Sequence, residues 1–373
     1  MADFELGERL TWSTNVRPFE RQRDDPVHRR LRIFTLDPSG SRLDGAVAEV
    51  LVPYEPLKPG PAGAVIAVVD RDDTLKETYR PLDLNEPRLL VMNGLDPSPT
   101  DWRSHQQMVY AIASRLYSTF RAALGRDPGW GFKGSTLRLR PHAFQEDNAY
   151  YDQAEGEVAF GYFMARPKGI GGRRGPEEWV FTCLSHDVVA HEMSHALLDG
   201  MRTRFMEATG PDVLGFHEGF SDLVALLHKF THRTVVRRAI GAVRGDLSKR
   251  SILSGMAQQF GKAVGVEGAL RDAVDDLSGG FKNPLQYSPR LEAHDLGQVF
   301  LCAVFEAFAT IYHRKTARLL RLCTSGTGVL PKGELPSDLA DALADEASQL
   351  AEQFLRMCVR AVDYCPAVDI ELG

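Results

Sequence analysis

The stretch Val188-Val-Ala-His191-Glu192-Met-Ser-His195-Ala-Leu-Leu198 decides how the rest of the chain is read. It holds no glycine or proline, and its apolar residues predict a buried helix over 186–199. Four residues turn an α-helix by about 400°, which puts His191 and His195 on one face, one turn apart. Two imidazoles so placed reach one metal ion, and Glu192 stands beside the ion's open position, where a general base acting on water is needed. Random placement of the 11 His and the Glu of this chain gives about 0.02 such motifs. A solvated helix with two histidines predicts polar neighbours, but Val188, Val189, Ala190, Ala196, Leu197 and Leu198 surround the motif. Buried His, Glu and His need partners, and one zinc ion supplies them.

The next element outward supplies the third ligand. The pattern H-E-x-x-H-x-x-G-x-x-H is not present, because Leu198 and Met201 occupy its Gly and last His positions. Downstream, Gly215-Phe-His217-Glu218-Gly-Phe-Ser-Asp222-Leu-Val-Ala-Leu-Leu227 is a second apolar helix with embedded acids. Glu218 and Asp222 are four apart and share a face. Glu218 can then reach the zinc, and Asp222, which read alone is a solvated or capping acid, can accept the free N–H of a liganding histidine and set its tautomer. His217 is a rival ligand, about 100° round the helix from Glu218 and without an acid at +4.

At these residues the chain resembles the thermolysin-like gluzincin metallopeptidases, over roughly 100–315. The resemblance implies that His191, His195 and Glu218 bind one zinc ion, that Glu192 is the general base, and that Asp222 supports a liganding histidine. It also implies a role for Asn148-Ala149-Tyr150-Tyr, followed by Glu157-Val-Ala-Phe-Gly161. In the family such a segment is the edge strand that holds a peptide substrate as an added strand; read alone, it is a turn before a strand. Glu292-Ala-His294-Asp-Leu-Gly297 resembles the segment with the family's catalytic histidine, and read alone is a helix start. Two features depart from the family. No tyrosine lies between His195 and Glu218, and of the family's calcium-binding acids only Asp187 has a counterpart, with Lys229 where another acid is expected. A structural calcium site is therefore not expected.

The remaining sequence sets limits. The chain has 373 residues, 43% hydrophobic, with a net charge of −6, ordinary for a soluble globular enzyme. Arginines between 17 and 32 are interrupted by Glu20, Asp24 and Asp25, so nucleic acid is not an expected partner. Five cysteines without a C-x-x-C pair read as reduced thiols, mostly core fillers, and their spacing argues against a thiolate zinc site. The opening Met-Ala-Asp-Phe-Glu-Leu-Gly-Glu has no secretory pattern, and no run of about 18 apolar residues occurs, so a cytoplasmic chain without membrane contact is the expectation. Oligomeric state is open.

Short β-branched or apolar runs predict strands at 32–36, 46–52, 64–69 and 88–92, then at 136–139 and 157–163. Met108, Ile112, Leu116, Phe120 and Leu124 recur every four residues and predict a helix over 101–124. After Val180 helices are expected at 186–199, 216–230, 252–263, 297–322 and 337–362, and 166–175 reads as a surface loop. The fold expected is α+β: a β-rich N-terminal region (1–95), an α/β catalytic subdomain with the edge strand and the H-E-x-x-H helix (96–199), and a mainly helical subdomain with the third zinc ligand (200–373). The chemistry expected is hydrolysis of peptide bonds in a peptide or protein substrate. The alternatives are a catalytically weak or inactive zinc-containing peptide-binding scaffold, which a structural zinc does not need Glu192 for, and a zinc hydrolase of non-peptide amides.

Overall fold

A computed structural model describes residues 12, 14–38, 46–165, 177–256, 271–274 and 286–372. The loop expected at 166–175 lies outside them. Strands β1 (His28–Phe34) and β2 (Val47–Pro53) form an antiparallel ribbon, with Leu31, Ile33, Val50 and Val52 buried while Arg30, Glu49 and Leu51 face out. This period-two alternation is the signature of a half-buried sheet. Next come β3 (Ile66–Val68), the small hairpin β4 (Arg71–Asp72) and β5 (Glu77–Thr78), then helices α1 (Pro87–Met92) and α2 (Trp102–Leu124). β6 (Leu137–Phe144), β7 (Ala149–Asp152), β8 (Glu157–Ala165) and β9 (Glu178–Phe181) follow. The main sheet has the order β3-β6-β8-β7, parallel through β3, β6 and β8, with β7 antiparallel at the edge and β9 also paired to β8.

The second half is helical: α3 (His186–Met201), α4 (Pro211–Lys229), α5 (Arg233–Val243), α6 (Ala293–Cys323) and α7 (Ser337–Val362). Between α5 and α6 the two-residue strands β10 (Gly255–Met256) and β11 (Arg271–Asp272) pair. The fold is mixed α+β, with seven α-helices and several sheets among the described residues. One buried apolar cluster runs from Val16 to Ile370. Helix α2 lies within it: the Asp101 side chain caps its first turn, its Met108, Ile112, Leu116 and Phe120 are buried, and Gly125 ends it in the left-handed conformation.

Three expectations differ from the structure. Residues 88–92, read as a strand, are helix α1; Pro87 pre-sets the helical φ at its first position, and Asn93 closes it in the left-handed region. So short an apolar run has no period of its own. Residues 252–263, read as a helix, begin as a turn that enters β10, and those beyond 256 lie outside the described residues. The carbonyls of Ile252 and Gly255 turn inward to accept hydrogen bonds from Lys229, which an α-helix would not allow. Helix α5 was not anticipated, because Arg233, Arg237 and Arg238 mask its buried stripe of Val235, Val236, Ala239, Ile240 and Val243.

Helix α6 is the described helix long and apolar enough to cross a membrane by length and composition, with 44% of that window buried inside the protein. It packs along α4 and α7. Its contact with α4 is close: a Cβ on Gly219 would come 2.7 Å from the Gly297 carbonyl oxygen, and one on Gly297 would come 2.8 Å from Gly219 N and 2.9 Å from Glu218 Cβ. Two glycines thus let the backbones of α4 and α6 touch beside Glu218.

Candidate metal centre

Helix α3 is buried almost throughout, and His191 and His195 leave its surface one turn apart toward α4. Glu218, on the facing side of α4, completes a group whose donor atoms all lie within 4.8 Å of one another. His191 Nε2 is 2.9 Å from His195 Nε2 and 3.3 Å from Glu218 Oε2; His195 Nε2 is 3.7 Å from Glu218 Oε1. A tetrahedral zinc with nitrogen and oxygen ligands at about 2.0–2.1 Å separates them by roughly 3.3 Å. The three separations bracket that value.

The protons give a second test of fit. His191 Nδ1 lies 2.7 Å from Asp222 Oδ1, a carboxylate that only accepts, so His191 carries its proton on Nδ1 and turns the Nε2 lone pair inward. His195 Nδ1 lies 2.6 Å from His217 Nδ1 and 3.2 Å from Ser221 Oγ. Burial pushes the His217 pKa down to about 4, so that ring is neutral and its Nδ1 is able to accept from His195 Nδ1–H. Both inward nitrogens are then lone pairs facing each other across a carboxylate, an arrangement that calls for a cation. Burial pushes the Glu218 carboxyl up, but when the surrounding imidazoles are protonated in place of holding a cation, the hydrogen bond from His191 and the charges of His195, His191 and His294 outweigh it and hold Glu218 well below the usual carboxylate range.

The structure thus brings His191, His195 and Glu218 to one point, with Asp222 behind the first. His217, the rival ligand, stacks on His195 at 4.7 Å between ring centroids and lies outside the ligand group. Glu192 is buried on α3 next to His191. His294 lies in the first turn of α6 and not ahead of it; Glu292 caps that turn by accepting from Asp295 N. His294 Nε2 is 3.4 Å from Glu218 Oε2, its Nδ1 3.1 Å from Glu292 Oε2, and its side chain is about half exposed. It borders the centre from the solvent side.

Asn148, Ala149 and Tyr150 lie at the outer edge of the sheet, Asn148 and Tyr150 exposed. Gly161 N donates to the Asn148 carbonyl, Ala149 N donates to the Asn148 side chain, and Tyr150 stacks on Phe144. The same strand is tied to the end of α3. Tyr151 OH and Gln153 Nε2 each donate to Asp199 at 2.7 Å, which joins the H-E-x-x-H helix to the edge strand.

One turn before the motif, Asp187 Oδ2 accepts from Lys229 Nζ at 2.7 Å. Burial raises the Asp187 carboxyl, and the Lys229 ammonium together with His186 more than offsets it, leaving it below its ordinary value. His228 Nδ1 and His232 Nε2 each stand 3.2 Å from His186 Nε2, and burial pushes all three imidazoles toward the neutral form.

No protein-family model matches the chain, and a search of curated proteins finds no match.

Sequence reasoning missed Ser221 as a second neighbour of His195 Nδ1, although its place one turn beyond His217 carried the signal. It also missed a buried group made of His105, His142 and Cys183. No local spacing reveals that group, since its members come from α2, β6 and the 3-10 turn Thr182–Leu184.

Proposed function

We propose that this chain is a zinc-dependent metallopeptidase of the thermolysin-like gluzincin type, its zinc held by His191, His195 and Glu218. The observation that carries the reading is the convergence of two imidazole nitrogens and one carboxylate, with Asp222 and His217 beside the two outer ring nitrogens. When bound, zinc supplies Lewis acidity that makes a coordinated water acidic near neutral pH and polarises a carbonyl.

The chain's own residues do the remaining work. Asp222 and His217 fix the ring planes of the two histidines. Glu192, one residue from the first ligand, takes the proton of the attacking water and passes it to the leaving amine. His294 donates an N–H to the oxygen that gains negative charge as the carbonyl is attacked. The open edge of β7 favours an extended peptide as substrate, laid beside Asn148 and Ala149 as a further strand, over a small enclosed amide. The thermolysin-like two-subdomain arrangement belongs to the same proposal, with the sheet and α3 on one side of the cleft and α4 and α6 on the other.

The test is hydrolysis of a quenched peptide library by the zinc-loaded protein and its Glu192→Gln variant. The expected result is cleavage that falls by about 10²–10⁴ in the variant at unchanged zinc content, since the amide can neither take nor return the proton. Equal turnover in the two proteins rules out the mechanism, and no cleavage by the parent leaves a zinc-containing peptide-binding scaffold.

A further inference from the structure

Among buried residues of α2, β6 and the turn before α3, a second set of donors repeats the proton arithmetic of the first. His105 Nδ1, from α2, and His142 Nε2, from β6, face each other at 2.7 Å. The outer nitrogen of each ring meets a group that only accepts: His142 Nδ1 is 2.9 Å from Asp70 Oδ1, and His105 Nε2 is 3.0 Å from the Ser98 carbonyl oxygen. Asp70 is itself held in place by a hydrogen bond from Gln106 Nε2 at 2.8 Å. With both outer nitrogens donating, the two inner nitrogens are left with lone pairs pointed at each other. One positive ion must lie between them, a proton or a metal.

The third member separates these cases. Cys183 Sγ lies within 4.8 Å of a ring nitrogen of each histidine, and His105, His142 and Cys183 are all buried. Trp102 and Phe181 pack against both rings, and Tyr79 and Tyr162 add to His142. Each His105 and His142 outer contact, one to a carboxylate and one to a backbone carbonyl, is the pattern that orients metal-bound imidazoles.

We propose that His105, His142 and Cys183 form a second, buried zinc site, with Asp70 as the carboxylate that orients His142. Two imidazoles and a thiolate are a donor set for zinc and for copper. Charge decides between them: a divalent ion, the Cys183 thiolate and the Asp70 carboxylate sum to zero, whereas a monovalent copper leaves a net negative charge in a dry site. Binding displaces the thiol proton to solvent as the sulfur–metal bond forms, with no change of oxidation state. Cys183 is thereby a ligand and not a core filler. The site joins α2, β6 and the turn leading into α3, and so acts on the platform beneath the catalytic helix without touching substrate.

The experiment uses the full chain and does not depend on peptidase activity. Zinc content is measured for the wild type, for a His191→Ala/His195→Ala variant and for Cys183→Ser. The expected result is one equivalent retained when the H-E-x-x-H pair is removed, and one lost in Cys183→Ser. The wild-type chain is also exchanged with cobalt. A thiolate-to-cobalt charge-transfer band in the near ultraviolet is expected, which a His/His/Glu centre has no sulfur to produce. This reading needs no variant, so it holds even where Cys183→Ser fails to fold. The proposal is overturned if the His191→Ala/His195→Ala protein holds no zinc, or if fully cobalt-loaded wild type lacks the thiolate band; a proton shared between His105 and His142 is then the bridging charge.

Discussion

Lys229→Met removes one charge from a pair that water does not reach. Lys229 Nζ is 2.7 Å from Asp187 Oδ2, with side-chain exposures of 2% and 8%. The ammonium also donates to the Gly255 carbonyl at 2.9 Å. Removing one partner of a buried pair costs about 3–5 kcal/mol, because the remaining charge is uncompensated. The pH dependence carries the sharper test. In the wild type Asp187 has a folded pKa below its ordinary value, so its contribution is present above the unfolded pKa of about 3.9 and is lost only as pH falls through the folded pKa. In Lys229→Met the largest cause lowering that pKa is gone and burial works against the carboxylate. The folded pKa then rises above about 3.9, the folded state binds the proton more tightly than the unfolded chain, and the deficit grows as pH rises from about 4 toward neutrality. The assay is urea denaturation of both proteins at several pH values, with Lys229→Met/Asp187→Asn as the companion. That double variant should recover part of the loss at neutral pH, since no bare charge stays buried. A deficit below about 1 kcal/mol that is flat in pH would refute the reasoning, as a solvated surface pair behaves that way. The resemblance to the thermolysin-like family puts the same ammonium where a calcium ion would need oxygen ligands, about six to eight of them. The wild-type thermal midpoint should therefore move little with added calcium, and a clear rise would reveal a specific site.

Asp222→Asn should weaken zinc binding by about 10–100-fold in competition with a chelator, because the acceptor that orients His191 loses its charge; unchanged affinity would remove Asp222 from the centre. His294→Asn should lower peptide turnover by about 10²–10³ with zinc content and stability close to wild type; lost stability with turnover per folded molecule intact would make His294 a helix-start residue only. Gly297→Ala inserts a Cβ 2.8–2.9 Å from α4 atoms and should cost about 1–3 kcal/mol, with faster zinc loss to chelator as Glu218 is displaced; a variant as stable and as zinc-retentive as the parent would show that α4 and α6 separate freely.

What the sequence by itself determined was local and periodic. A turn of 3.6 residues puts His191 and His195 on one face of α3, and Glu218 and Asp222 on one face of α4, whatever surrounds them. The apolar stripe of α2 was legible for the same reason, whereas β1 and β2 were read from short apolar runs, at 32–36 and 46–52, and the run at 32–36 catches only the end of β1. Where a segment was too short for a period, as in 88–92, or where arginines covered the stripe, as in α5, the reading failed. Tertiary structure decided everything that joins distant segments. It brings α4 to α3 so that Glu218 meets the two histidines, seats α6 against α4 through Gly219 and Gly297, and so carries His294 to within 3.4 Å of Glu218. It turns His217 behind His195 and out of the ligand group, a choice between two adjacent residues that helix geometry alone left open. It also gathers His105, His142 and Cys183 from three elements. The physical reason is that spacing along a chain encodes direction only within one helix or strand, whereas the meeting of elements depends on how their buried faces pack, and packing is a property of the whole core.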